Sequence, residues 1–229
     1  MVMSWPEGSQ FAPGPAPPGA FRARLAGLAG GVLLVGGAIA IAVAMLLQQH
    51  APQPTASAAG ATGPAAKGPS LHRSAPVSVD IPAIGVHSQL LRLGVNADGT
   101  VQVPSLTTSA DEAAWLKYSA TPGQIGASVI EGHVDSYRGP AVFYRLGALH
   151  PGDTIDVTLA DGVMGVFRVT GVREYLKDKF PATAIYGNAN YAALRLITCG
   201  GSFDYATGHY LSSTVVFASL VSSRHLSSQ

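Results

Sequence analysis

Hydrophobic and polar positions divide this chain into one long apolar run, a segment of small residues and a region of short alternating patterns. The alternating region covers residues 76–222. Much of it alternates apolar and polar side chains with the period of two that is typical of strands with one buried face. The pattern predicts strands at residues 77–81, 89–93, 101–103, 127–131, 154–159, 163–172, 194–198 and 214–220.

Two segments of this region favour helical structure. Residues 109–118 predict a short helix, because Ser109 is a suitable N-cap and Glu112 follows it by three positions, the spacing of a capping box. Residues 142–149 are mostly apolar and favour about one helical turn. The sequence therefore predicts one or two short helices beside the strands.

Turn sequences separate the predicted strands. Asp161-Gly162 lies between two of them, which is a strong signal for a hairpin, and residues 96–99 form a second turn sequence. Frequent turns and short strands favour a closed or sandwiched sheet with mainly antiparallel neighbours. The predicted fold class is a mostly-β domain, large enough to bury a core of its own.

The long apolar run at residues 25–47 contains no charged or strongly polar side chain. About 20 apolar residues cross the hydrocarbon core of a bilayer, so this run predicts a single transmembrane helix. A cleaved signal peptide is the alternative, but its apolar core is usually shorter, at roughly 7–15 residues. The sequence therefore favours an uncleaved signal anchor in the cell membrane.

The charges beside this run predict its orientation. Arg22 and Arg24 precede it, whereas no charged residue follows it before Lys67. The positive-inside rule then leaves the N-terminus in the cytoplasm and places the C-terminal domain outside the cell. The predicted organisation is a cytoplasmic disordered tail (1–24), a transmembrane helix (25–47), a flexible Pro/Ala/Gly-rich spacer (48–75), an extracytoplasmic domain (76–222) and a polar tail (223–229).

Charge and cysteine content narrow the function classes. The formal net charge is +1, which excludes the strongly basic surface expected of a nucleic-acid-binding protein. The chain has one cysteine and therefore no internal disulfide. Outside the cell, a lone thiol is buried and inert, part of an intermolecular bridge, or functional.

The single cysteine ends a predicted strand and precedes two glycines. Cys199 follows the apolar residues 194–198, and Gly200-Gly201 come directly after it. A cysteine nucleophile needs a nearby base, and histidine is the usual one. His133 is the first choice because it follows a predicted strand in a Gly-flanked loop, and His209, ten residues after Cys199, is the second.

Strand periodicity suggests further site residues. Arg195, Ile197 and Cys199 are two positions apart and share a face of the strand. We expect Ile197 and Gly200 to line a substrate groove, and Arg195 to bring a cation toward a developing oxyanion. Four residues span about 13 Å of strand, so a surface arginine is the alternative.

Other chemistries have weaker support. No cofactor motif is present, and a metal site is disfavoured because the chain lacks a second thiol and a His-x-x-x-His spacing. Glu131 and Asp135 are a carboxylate pair of the kind that glycosidases use. That reading leaves the placement of Cys199 before two glycines unexplained.

Two motifs, together with the anchor, resemble the sortases. These are Leu196-Ile197-Thr198-Cys199 and Glu131-Gly132-His133-Val134-Asp135. Sortases are membrane-anchored cysteine transpeptidases of Gram-positive bacterial envelopes, and the resemblance covers residues 77–220. Residues 138–143 and 200–204 are most similar to the class E/F group.

The resemblance implies a fold and a reaction. It implies an eight-stranded β-barrel in which Cys199 is the acylated nucleophile and His133 the general acid and base. The partner proteins would carry a C-terminal Leu-Pro-x-Thr-Gly-like sorting signal, which is cleaved after Thr. The resulting thioester would pass to an amine of a cell-wall precursor or of another protein.

The chain departs from the family at one position. The family has an arginine after the cysteine, but here no Arg or Lys lies between Cys199 and Arg224, and Ser213 or Leu211 occupies that place. Either Arg195 replaces it, the site uses a weaker oxyanion donor, or activity is reduced. Two other functions remain as alternatives: a non-catalytic barrel that binds an envelope peptide, and a cysteine peptidase that only hydrolyses.

Overall fold

The computed structural model describes residues 50–63 and 68–226. Ten strands and one short α-helix, α1 (Ala182–Tyr186), make up most of the regular structure of this part. The strands are β1 (Pro76–Ile81), β2 (Val86–Leu93), β3 (Ala113–Leu116), β4 (Gly126–Glu131), β5 (Asp135–Ser136), β6 (Gly139–Pro140), β7 (Thr154–Leu159), β8 (Val163–Leu176), β9 (Ala192–Asp204) and β10 (His209–His225).

Eight of these strands form a closed barrel, as the resemblance of the two motifs implies. Their order is β1-β2-β3-β4-β9-β10-β8-β7, and β7 pairs with β1 to close the sheet. Most neighbours are antiparallel, but β2 pairs with β3 and β4 pairs with β9 in parallel. The two short strands β5 and β6 form a separate hairpin. Closure leaves the barrel without an exposed sheet edge.

The alternating sequence of β7 shows why the barrel forms. Ile155, Val157 and Leu159 are buried in the core, whereas the residues between them are partly exposed. The predicted hairpin follows, and Gly162 supplies the left-handed backbone conformation that its turn needs, at φ 80°. The apolar residues of the other barrel strands complete a core that includes Trp115, Phe143 and Phe167.

The predicted helix at residues 109–118 is wrong, because part of this segment is the strand β3. Ala113 and Trp115 are buried, and β3 lies between β2 and β4. Helical propensity and a capping sequence are weak signals, and burial between two strands outweighs them. The helical turn expected within 142–149 is confirmed as a 3₁₀ turn at Leu146–Ala148.

The segment at residues 51–63, predicted as part of a flexible spacer, packs against the barrel. Ala58 is fully buried in the core cluster. Arg173 of β8 donates hydrogen bonds to the carbonyl oxygens of Ala59 and Gly60 at 3.0 and 2.9 Å. The amide of Gly201 donates to the side-chain oxygen of Gln53 at 3.2 Å. Small residues permit this close contact, so a composition typical of linkers has a packing role here.

Some predictions fall outside the described residues or at their limit. The predicted cytoplasmic tail and transmembrane helix at 1–24 and 25–47 lie outside them. Within the described part of the chain, no helix has the length and apolar character needed to cross a bilayer. Strand β10 continues to His225, so the first residues of the predicted polar tail belong to the barrel.

Burial of Ala58 generates a stability test. We expect Ala58→Asp to lower the free energy of unfolding by about 2–4 kcal/mol, because it places a carboxylate without a partner in the core. Ala56→Asp, in the same 3₁₀ turn but exposed, is the matched control and should change it by less than about 0.5 kcal/mol. Urea denaturation measures both values. Equal effects would show that this segment does not pack against the barrel in solution.

Candidate active site

The parallel pairing of β4 with β9 brings the predicted base to the predicted nucleophile. Gly126 pairs with Ala192, and the same register continues to Glu131 and Ile197. The amide of Gly132 extends the ladder by donating to the carbonyl oxygen of Ile197 at 3.1 Å. Ala192 follows Gly126 by 66 positions, and Cys199 follows His133 by the same 66 positions. The register therefore directs His133 to the level of Cys199 on the neighbouring strand.

Cys199 and His133 both line a cavity of about 420 Å³. Its apolar wall includes Val103, Phe180 and Ile197. Ile197 thus lies where the sequence predicts it. Gly200, the other predicted groove residue, is buried and does not line the cavity. A Cβ built on Gly200 would lie 2.5 Å from Thr214 Oγ1, so the glycine permits close packing of β9 on β10.

The His133 loop is held by short contacts on both sides. Its Nε2 lies 2.6 Å from the carbonyl oxygen of Pro104. A carbonyl can only accept a hydrogen bond, so Nε2 carries the proton and Nδ1 is the basic atom of the neutral ring. The amide of Phe143 donates to the His133 carbonyl at 2.9 Å. A Cβ on Gly132 would lie 2.7 and 2.8 Å from Val142 and Phe143, so only glycine fits there.

Cys199 is half-buried on β9, opposite Ser213 of β10. The ammonium group of Lys177 lies 3.6 Å from its sulfur and donates to it. Sequence reasoning missed Lys177. It follows the end of β8, which does not neighbour β9 in the barrel, and no motif includes it.

The structure does not bring Arg195 to this cavity. The guanidinium donates to the carbonyl oxygen of Leu194 at 3.1 Å and to the hydroxyl of Tyr191 at 3.0 Å. The central carbon of the guanidinium lies 4.7 Å from the centre of the Phe217 ring. Phe217 is the residue of β10 that pairs directly with Arg195. The distance along the strand and the aromatic cover keep this cation away from Cys199.

The two carboxylates of the glycosidase alternative are separated. Glu131 lines the cavity and accepts a hydrogen bond from the Tyr186 hydroxyl at 3.0 Å. Asp135 lies on β5, outside the cavity lining, and accepts a hydrogen bond from Tyr210. The second-choice base, His209, is exposed at the start of β10 and does not line the cavity either. The arrangement therefore favours Cys199 and His133 as the reacting pair.

Burial raises the pKa of the Glu131 carboxyl above its usual value, and the hydrogen bond from Tyr186 opposes this effect. Burial of the Tyr186 hydroxyl and the adjacent Glu131 carboxylate raise the pKa of Tyr186. An acid with a raised pKa holds its proton more tightly in the folded state. The folded protein therefore loses stability as the pH rises from the ordinary value of 4.5 to the raised value.

Replacing Glu131 tests this linkage. Glu131→Gln keeps an oxygen for the Tyr186 hydroxyl and removes the buried charge, so we expect it to be more stable than the wild type at neutral pH. The difference should shrink as the pH falls and vanish below about pH 4.5. Urea denaturation from about pH 4 to pH 8 measures it. The control is Asp178→Asn, at an exposed carboxyl group. A stability difference that stays constant from about pH 4 to pH 8 would contradict the raised pKa of the Glu131 carboxyl.

Comparisons with known proteins agree with this fold. A family model described as the sortase domain matches residues 79–221. The solved structure of sortase A from Listeria monocytogenes superposes with a TM-score of 0.50 at 16% identity, and the match covers 68% of this chain and 92% of that one. The similarity to this structure supports the fold alone.

Two further solved structures are similar at lower TM-scores. For sortase A from Corynebacterium diphtheriae the TM-score is 0.47 at 22% identity, with 66% of this chain and 62% of that one covered. For sortase C1 from Streptococcus agalactiae it is 0.48 at 19% identity, with 63% and 66% covered. The comparison with curated protein sequences gave no match.

Proposed function

Because this chain belongs to the sortase family, we propose that it is a cysteine transpeptidase that acts on C-terminal sorting signals. The observation that carries this proposal is the shared cavity of Cys199 and His133. A thiol and an imidazole on one cavity are the groups that acyl transfer through a thioester requires.

The first half-reaction forms the acyl-enzyme. The Cys199 thiolate attacks the carbonyl carbon of the Thr–Gly bond in a Leu-Pro-x-Thr-Gly-like signal, and a sulfur–carbon bond forms. The carbon–nitrogen bond then breaks. The protonated imidazole of His133 gives its proton to the leaving amine, which departs as the new N-terminus of the released peptide.

The second half-reaction transfers the acyl group. An amine of the cell envelope attacks the thioester carbon, and neutral His133 accepts the proton that this amine loses. The sulfur–carbon bond breaks, and the thiolate is restored. The Nε2 hydrogen bond to Pro104 fixes the ring orientation, so one imidazole can serve both steps.

The cavity wall supports a peptide with apolar residues before the cleaved bond. Val103, Phe180 and Ile197 offer apolar surface close to the thiol. The Leu-Pro part of a sorting signal would bury its side chains there, and the rigid proline would lose little conformational entropy on binding. We also propose that the protein belongs to the class E/F group, on the basis of the similarity of residues 138–143 and 200–204 to that group.

We also propose a location and partners. The apolar run at residues 25–47 would anchor the chain once in the cell membrane, with its N-terminus in the cytoplasm and its catalytic domain outside. The partners would be surface proteins with sorting signals and an amine acceptor such as a cell-wall precursor of a Gram-positive envelope.

The reaction products test the proposal. Full-length protein incubated with a Leu-Pro-x-Thr-Gly peptide and an excess of a small amine should give the Leu-Pro-x-Thr amide of that amine, detected by mass spectrometry. We expect Cys199→Ala to abolish this product and His133→Ala to slow its formation by about 100-fold or more.

The control is His209→Ala, which removes an exposed histidine outside the cavity and should leave the rate unchanged. Free acid without amide would support the alternative of a peptidase that only hydrolyses. Activity that persists in the Cys199→Ala variant would overturn the proposed chemistry. A panel of such peptides that all remain uncleaved would favour the non-catalytic binding barrel.

A further inference from the structure

A three-strand alignment leads from Cys199 to the end of β8. Strand β10 lies between β9 and β8. Cys199 pairs with Ser213 on β10, and Ser213 pairs in turn with Tyr175 on β8. Lys177 follows Tyr175 by two positions, directly after the last residue of β8. Two strand spacings, about 10 Å, therefore separate β8 from the nucleophile strand.

The short side chain of Ser213 leaves room for a long one to cross β10. Ser213 and Lys177 both line the cavity with Cys199. Although Lys177 follows β8, its ammonium nitrogen lies 3.6 Å from the Cys199 sulfur on β9. A flexible four-carbon stem with a compact charge suits this reach.

Aromatic packing holds the turn that carries Lys177. This turn is the 3₁₀ segment Lys177–Lys179. Tyr175 before it and Phe180 after it pack edge to face, with ring centroids 6.2 Å apart. Phe180 also packs on Tyr186, and both rings line the cavity. The lysine therefore extends from a turn anchored at both ends.

The other charges near the cavity do not replace Lys177. Arg195 is engaged with Tyr191 and Phe217, and no Arg or Lys follows Cys199 before Arg224. Glu131, the carboxyl group on the cavity wall, is bonded to Tyr186. Among the described residues that line this cavity, Lys177 is the one lysine or arginine.

We propose that Lys177 is the catalytic cation of this site. Its ammonium group stabilises the Cys199 thiolate before attack and then the oxyanion that forms on the carbon bonded to that sulfur. No proton leaves the ammonium group in either step, because it acts by charge and by hydrogen bonding alone. The second role rests on the transpeptidase function proposed above, whereas the first requires only the thiol.

Thiol alkylation tests the first role without a peptide substrate. Cys199 is the only cysteine of the chain, so the rate of alkylation of full-length protein by iodoacetamide reports on this thiol alone. Lys177→Met keeps the length of the stem and removes the charge. We expect it to lower the rate at neutral pH by about tenfold, since screening at an exposed site reduces the effect below that of a buried donor.

Two further variants separate charge from structure. Lys177→Arg retains a cation and should alkylate within about threefold of the wild type. Lys179→Met removes an exposed charge from the same turn that does not line the cavity, and should match the wild type. Wild-type alkylation by Lys177→Met would overturn the proposal, and so would an equal decrease in all three variants.

Steady-state transfer with a Leu-Pro-x-Thr-Gly peptide tests the second role. We expect Lys177→Met to lower kcat by tenfold or more with little change in KM, because the charge acts on the transition state. An unchanged kcat would overturn the oxyanion role. If alkylation falls in Lys177→Met while the wild type cleaves none of the peptides, the proposed function fails and the thiolate role of Lys177 stands.

Discussion

The parallel pairing of β4 with β9 is the constraint on which the site depends. Parallel neighbours need a long crossover connection, and here β5 to β8 and α1 lie between the two strands in the chain. The pairing therefore joins two segments that are far apart in the chain. Its register directs a loop histidine and a strand cysteine, 66 positions apart, to one level of the sheet. The reactive pair thus depends on a contact between segments that are distant in the chain.

Two cations near β9 have different roles, and packing explains the difference. Arg195 is covered by Phe217 and bonded to Tyr191, whose hydroxyl donates to the carbonyl oxygen of Thr62 at 3.1 Å. This buried cation therefore helps to hold the segment before β1 against the barrel. The ammonium nitrogen of Lys177 lies 3.6 Å from the Cys199 sulfur, and Ser213 lines the same cavity. The positive charge at this cavity therefore comes from the end of β8, and β10, the strand between β8 and β9, contributes the small side chain of Ser213 to the cavity wall.

Sequence reasoning succeeded where one strand or one turn carries the signal. Alternation predicted β7, Asp161-Gly162 predicted the hairpin, and the apolar residues 194–198 predicted a strand that is part of β9. The strand end expected at Cys199 was wrong, because β9 continues to Asp204. Sequence reasoning failed where tertiary contacts determine the secondary structure or the burial of a residue. β3 is a strand because two other strands enclose it, and Ala58 is buried because the barrel offers a fitting surface. Lys177 could not be found, since only the order of strands in the closed barrel brings it to the site.

The most direct test of the Cys199–His133 account is the intact mass of the protein after brief incubation with a Leu-Pro-x-Thr-Gly peptide and no added amine. The account predicts a fraction of the protein with a mass increase equal to the Leu-Pro-x-Thr acyl group. Peptide mapping should place this group on Cys199, and hydroxylamine, a nitrogen nucleophile that cleaves thioesters, should release it. A peptide cleaved without any adduct on Cys199, or an adduct on another residue, would contradict the account.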